Sequence, residues 1–261
     1  MLGSEFASCW LKIGRADVHA ATLKDEISAW EKQNPYNLTK FQDAQGYFHS
    51  VTVQINPVPD WDRWSLMFGD FIHNLRAALD HFVYAAAITQ TKTNPPADER
   101  ILQFPIADTP VCFARQAGGI KSLSEEVRTS VERVQPYNKG HQALPPLLGL
   151  LRDFDNSDKH RLLKITSSWQ YKGAAQIKVP DGHLLKSISS FPDEIQNRAD
   201  ILAFTVEPPS VELKYKYQAS FAVGISHNPG PTGVDTTAVK TLLELLSAEV
   251  RTVIEVVGAT V

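Results

Sequence analysis

The chain has 261 residues, of which 43% are hydrophobic and 21% are charged, a composition typical of a globular protein with a substantial core. Its formal net charge of −3 disfavours a general nucleic-acid coat protein, which would be basic. No apolar run reaches the roughly 18 residues that span a bilayer, no signal peptide is visible and the two cysteines lack zinc-ligand spacing, so we expect a cytoplasmic protein.

The N-terminal part of the chain predicts a helix followed by a β-hairpin. The letters GSEF at the start resemble a translated cloning junction, so residues 1–6 are left out of the fold prediction. A helix is predicted over 8–33, because apolar residues recur at spacings of three and four until an Asn-Pro pair ends the pattern. A hairpin is predicted over 37–56, around the turn DAQG.

Helices dominate the next hundred residues. A long helix is predicted from Asp60 or Asp62, either of which can cap it, to about Thr89. The Pro-rich residues 91–108 predict a loop. Three shorter helices are predicted after this loop: one over 109–117, one over 122–134, and one from Pro145-Pro146 to the polar run that ends at Arg161.

Strand patterns follow, and then a final helix. Residues 211–225 alternate between apolar and polar side chains, which predicts a strand with one buried face. We therefore expect an α+β fold in which a helical region over 7–161 includes the hairpin and a β-rich region over 162–228 forms an antiparallel sheet. A last helix, within 234–261, is expected to pack on the helical bundle.

The long helix contains an unusual polar face in the stretch GDFIHNLRAALDHF, residues 69–82. At 100° per residue, its large apolar side chains fall on one side. The polar side chains on the opposite side are Asp70, His73, Asn74, Arg76, Asp80 and His81. Residues 61–90 contain no Lys and no Glu, the strong helix formers that usually cover a solvated face. Histidine titrates near neutrality and arginine binds phosphate or carboxylate, so a site is favoured over an ordinary solvated face.

A second polar cluster ends the helix before the strands. Its residues are Asn156, Ser157, Asp158, Lys159, His160 and Arg161. One interpretation is structural, because such residues are common in turns, and cations suit a helix C-terminus. The other is functional: His160 and Arg161 face Arg76 and His81 across the bundle, since the two clusters have similar residue types.

These motifs carry two resemblances. The segments LRAALDH and DKHR, with FPI between them, resemble a family of uncharacterised bacterial proteins that share LR(S/A)ALDH and DKHR motifs, and that family implies no activity. The Arg76 to His81 spacing is also similar to the Arg-x4–6-His motif of HEPN domains. These domains are helical bundles, and many are metal-independent endoribonucleases that act as dimers.

The HEPN resemblance implies specific roles and partners. Arg76 would stabilise the charged phosphate and His81 would transfer the proton, and we group His160 with them as a candidate catalytic residue. The supporting residues are His73, Asn74, Asp80, Asp158, Lys159 and Arg161. No cofactor would be needed. The partners would be RNA or a small phosphorylated ligand, without a membrane, and the protein would form a homodimer.

Two other functions stay open. In a metal-dependent hydrolase, His19, His81 and His160 would hold a divalent metal together with a carboxylate such as Asp80 or Asp158. In a non-enzymatic interaction module, the same groups would form a buried hydrogen-bonded network that specifies helix packing. Convergent histidine nitrogens would favour the metal, an open basic cleft would favour RNA, and a sealed network would favour the interaction module.

Overall fold

The computed structural model describes residues 3–139, 144–190, 197–227 and 236–261. Its α-helices are α1 (Ala7–Glu31), α2 (Trp61–Thr91), α3 (Pro110–Gln116), α4 (Glu125–Arg133), α5 (Leu147–Asp158) and α6 (Val239–Gly258). Its strands are β1 (Tyr36–Gln42), β2 (Phe48–Ile55), β3 (Ile165–Lys178), β4 (Leu184–Ser190), β5 (Ala199–Glu207), β6 (Lys214–Ser226) and β7 (Thr236–Ala238). The predicted α+β fold, with helices first and last, is confirmed.

The chain divides into two units. Unit 1 contains Met1–Lys24, Asp62–Leu163 and His227–Val261, and is mainly helical. Unit 2 contains Asp25–Trp61 and Lys164–Ser226, and holds strands β1 to β6. The hairpin predicted inside the helical region therefore groups with the later strands, because its second strand hydrogen-bonds to β5 rather than packing among helices.

Helix α2 forms the centre of unit 1. Its apolar side is buried along the whole predicted stripe, which comprises Trp64, Phe68, Phe71, Ile72, Leu75, Leu79, Phe82 and Ala86. Phe68 meets Phe154 of α5 edge to face, with ring centroids 5.5 Å apart, so α2 and α5 are neighbours. Helix α6 buries a stripe that includes Leu242, Leu246 and Val250 and contacts both α4 and α5.

Unit 2 is built from antiparallel strands. Four of them form a sheet in the order β1-β2-β5-β4, and β3 pairs with β6 over most of its length. The core of this unit includes Val51, Val53, Phe204 and Tyr215. The strand predicted to begin at 211 begins at Lys214, because residues 211 and 212 lie in a turn.

At the N-terminus, the structure differs from the sequence prediction. Phe6, which the sequence prediction leaves outside the fold, is buried, and its ring centroid lies 5.4 Å from that of Phe82. The end of the predicted β-rich region at 228 and the start of the predicted last helix at 234 lie outside the described residues. In the described part of the chain, no helix is both long enough and apolar enough to cross a membrane.

Candidate functional site

A charged pair on α2 binds the backbone of Phe104. The Asp80 carboxylate accepts a hydrogen bond from the Phe104 N–H (2.9 Å). The Arg76 guanidinium donates through Nη2 to the Phe104 carbonyl (2.8 Å) and to Asp80 Oδ1 (2.9 Å). Arg76 is only 8% exposed. The pair lies one helical turn apart, the spacing at which an acid and a base meet on a helix, and it satisfies both backbone groups of one buried residue.

Two glutamines continue this pattern along the same segment. Gln116 binds both backbone groups of Ile106, with its Oε1 accepting from the N–H and its Nε2 donating to the carbonyl. Gln135, which is fully buried, donates to the Pro105 carbonyl and accepts from the Ala107 N–H. Residues 104–107 are therefore a buried segment without regular secondary structure, and side chains bind its backbone groups where no neighbouring strand does so.

The second cluster reaches α2 through Asp155. This carboxylate is only 4% exposed. It accepts a hydrogen bond from Lys159 Nζ at 2.6 Å, and its Oδ1 lies 3.8 Å from Nδ1 of His73. The charge of Asp155 also favours the charged form of Arg76. The LRAALDH and DKHR motifs thus meet through a carboxylate that lies outside both motifs.

The attraction between Arg76 and Asp80 partly offsets the free-energy cost of removing each charged group from water. Burial lowers the pKa of Arg76, and the charges of Asp80 and Asp155 partly offset this decrease. Burial raises the pKa of Asp80, and the Arg76 charge and the Phe104 N–H partly offset this increase. The Arg76 guanidinium stays protonated, and each of the two charges stabilises the other where they are partly shielded from water.

Gly69 gives the Asp158 carboxylate its position beside α2. A Cβ atom at Gly69 would lie 2.5 Å from Asp158 Oδ1, so a side chain here would displace the carboxylate. Burial raises the pKa of Asp158, and the nearby charges of Asp155 and Asp70 raise it further, partly offset by His73. Negative charge at the end of α5 is also unfavourable for the helix dipole. Asp158 is thus a crowded carboxylate.

Two of the partly buried histidines, His19 and His81, lie in different surroundings on helices α1 and α2. Burial lowers the pKa of His81, the Lys12 ammonium lowers it further, and Asp80 partly offsets the decrease. Burial also lowers the pKa of His19, whose Nδ1 lies 3.9 Å from Asp70. The Asp80 charge acts on both Arg76 and His81. Asp155 also acts on Arg76, and Lys12 also acts on His81.

The remaining predicted residues make few contacts. The Asn74 amide donates to the carbonyl of Asp70 on its own helix (2.7 Å). His160 and Arg161 follow the end of α5 and are exposed. Within the described ranges, neither side chain forms a hydrogen bond or ion pair. They do not face Arg76 in a closed cluster, and the contacts to α2 come instead from Asp155 and Asp158.

Sequence reasoning missed several groups of this site. The sequence predicted a loop over 91–108, but nothing in it showed that Arg76 and Asp80 bind the backbone of Phe104 within this segment. Gln116 and Gln135 gave no signal, because single glutamines are common on helices. Asp155 and Gly69 were visible in the two polar stretches, and an acidic residue in the last turn of a helix is the signal that could have singled out Asp155.

The geometry gives no support to the metal hypothesis. Among the described residues, which include His19, His81 and His160, no group of three or more His, Cys, Asp or Glu side chains is placed to hold a metal ion. The metal hypothesis stays a prediction, and a measurement of metal binding to the protein in solution would test it directly.

Comparisons with known proteins add no identity. No protein-family model matches the chain, and no curated protein or solved structure is significantly similar to it. The resemblances to the LR(S/A)ALDH family and to HEPN domains therefore stay predictions, and the functional argument depends on the geometry of the site.

Proposed function

We propose that this protein is a non-enzymatic interaction module and that its Arg76–Asp80 pair is a structural clamp. The observation that supports this proposal is the double hydrogen bond from the pair to the N–H and carbonyl of Phe104. A guanidinium committed to a backbone carbonyl and a carboxylate is poorly placed to bind a phosphate. The module would contact its partners through exposed surfaces and would use the clamp to fix the helices that present them.

The electrostatics of the cluster also favour this function over phosphate binding. The charges of Asp155 and Asp70 raise the pKa of Asp158, and the charges of Asp80 and Asp155 both act on Arg76. A site that recognises RNA or a phosphorylated ligand needs a surplus of positive charge. Here two carboxylates, Asp80 and Asp155, act on the one guanidinium that is buried among the described residues, and the nearby cation Lys159 is itself paired with Asp155.

The test compares stability with ligand response. The Arg76→Ala variant should unfold at a markedly lower temperature than the wild type, because it leaves the Phe104 carbonyl without a donor and Asp80 without its positive partner. Mixed RNA, inorganic phosphate and nucleotides should not change the melting temperature of the wild-type protein. A variant as stable as the wild type, or a clear stabilisation by one of these ligands, would contradict the proposal.

A HEPN-like, metal-independent endoribonuclease is the second candidate, and His81 favours it. Burial and Lys12 lower the pKa of this half-exposed histidine, so it is mostly neutral at pH 7 and able to accept a proton. In addition, Nη1 of Arg76 has no hydrogen-bond partner among the described residues. A substrate oxygen would reach it only after the site opens, because this atom is buried.

Cleavage of mixed RNA in the presence of EDTA tests this candidate. A ribonuclease would cleave RNA without metal, and the His81→Ala variant would lose that activity while it keeps its fold. The Tyr84→Phe variant, one turn further along the same helix, is a matched control that should change neither. Absence of cleavage by the wild type, or equal cleavage by the His81→Ala variant, would leave the interaction module as the better proposal.

A further inference from the structure

Helix α1 presents an exposed face that its own chain does not use. Placed at 100° per residue, eight exposed residues share this face: Leu11, Gly14, Arg15, Val18, Ala21, Thr22, Asp25 and Ala29. Leu11 is 74% exposed and Val18 is 54% exposed. Only two of the eight are charged. A solvated helix face normally carries many more charges, so this composition indicates a contact surface.

Two details make the face fit a neighbouring helix. Gly14 costs about 1 kcal/mol relative to Ala inside a helix, yet a Cβ atom at this position would meet nothing within 4 Å. The intramolecular packing therefore does not need a glycine there, whereas a second helix that crosses closely would. The hydroxyl of Thr22 donates to the carbonyl of Val18 on its own helix (2.9 Å), which leaves mainly its methyl group for contact.

We propose that a second copy of this chain covers the face, with the two α1 helices antiparallel about a two-fold axis near residue 20. The face is self-complementary in this arrangement, because six of its eight residues form pairs at equal distances from that axis; Gly14 and Ala21 have no counterpart on the face. Leu11 then lies opposite the partner's Ala29, Val18 opposite the partner's Thr22, and Arg15 opposite the partner's Asp25. A two-fold axis repeats each of these contacts, as an isologous interface requires.

The charges of Arg15 and Asp25 favour a second copy of this chain as the partner that covers the face. Arg15 and Asp25 have no ion-pair partner among the residues that the structure describes, and each is exposed. In the proposed dimer each Arg15 meets the partner's Asp25, so this ion pair forms twice, once on either side of the axis. Val18, Ala21 and Thr22 lie between the two pairs, and Leu11 and Ala29 lie outside them. A contact made by one helix from each copy is smaller than the about 800 Å² per partner of a standard interface, so a weak dimer is expected.

Charge reversal provides the test, with the full chain studied by analytical ultracentrifugation over a wide concentration range. The wild type should form a reversible dimer. The Arg15→Glu variant places like charges opposite each other at two symmetric points and should raise the dimer Kd by about tenfold or more. Asp25→Lys should act similarly. The double variant Arg15→Glu/Asp25→Lys restores opposite charges across the axis and should regain the wild-type Kd.

The controls separate association from folding. Arg128→Glu makes the same charge change at an exposed site of α4 and should leave the dimer unchanged. Circular dichroism and thermal melting should show that all variants keep their fold, because the altered side chains are exposed. A wild type that stays monomeric, an Arg15→Glu variant that dimerises normally, or a double variant that fails to regain the dimer would each overturn the proposal.

Discussion

Removal of the Arg76 side chain is the sharpest test of the clamp. Arg76→Ala leaves the Phe104 carbonyl buried without its donor and leaves Asp80 without its positive partner. The removal of one member of a buried ion pair costs about 3–5 kcal/mol. The Asp80 side chain is 32% exposed, so water compensates part of the loss. We therefore expect a decrease of about 3 kcal/mol in the free energy of unfolding.

Urea denaturation and thermal melting measure this loss. The circular dichroism signal of helices is a suitable probe, because α2 to α6 belong to unit 1. For a unit of this size, about 3 kcal/mol corresponds to a decrease of roughly 6–12 °C in Tm. The Arg128→Ala variant is a matched control, since it removes an exposed arginine from α4 and should change stability by less than about 0.5 kcal/mol.

A double-mutant cycle separates the clamp from simple loss of packing. Arg76→Ala and Asp80→Ala should be non-additive by about 1–2 kcal/mol, because each variant already breaks the interaction between the two side chains. The reasoning is refuted if Arg76→Ala costs no more than the control, or if the two substitutions add without coupling. The first result would mean that the contacts of Arg76 do not stabilise the fold, and the second would mean that Arg76 and Asp80 do not act as a pair.

Three further predictions follow from the same cluster. The pKa of Asp158 in the folded protein lies above its ordinary value of 3.8, so its charge destabilises the fold at neutral pH. Asp158→Asn should therefore raise the free energy of unfolding at pH 7, and this gain should shrink as the pH falls through the folded pKa toward 3.8. A gain that stays constant across this pH range would exclude a charge effect. NMR titration should give His81 a pKa below 6.5 in the wild type. This pKa should rise in Lys12→Met, where one cause of the decrease is absent, but not in Lys12→Arg. Equal values in both variants would show that the Lys12 charge does not lower the pKa of His81. Urea denaturation should show that Gly69→Ala stabilises the protein by about 1 kcal/mol in an Asp158→Ala background, through helix propensity alone. In the wild type the gain should be clearly smaller, because the new methyl group meets the Asp158 carboxylate. Equal gains in the two backgrounds would refute that contact.

The amino-acid pattern was enough to predict the main helices, the clearest strand and the apolar and polar sides of the long helix. Periods of 3.6 and 2 depend only on which side chains avoid water, so α2, its buried stripe and the α+β class were predictable. The absence of Lys and Glu over 61–90 also marked the helix as unusual. What it could not predict was that Arg76 would be buried, because a polar residue on the polar side of a helix gives no sign that another segment will cover it.

The partners of these polar groups depend on how distant segments of the chain pack together. Residues 104–107 are distant from α2 in sequence, and their backbone groups carry no pattern that a sequence displays; they nevertheless occupy Arg76 and Asp80. The same holds for Asp155 and Gly69, whose roles depend on how closely α5 packs beside α2. Hydrogen bonds and charge interactions act over a few ångströms between chosen atoms, whereas hydrophobic burial is non-directional. The pattern of burial can therefore be predicted from the sequence, but the pairing of its polar groups cannot.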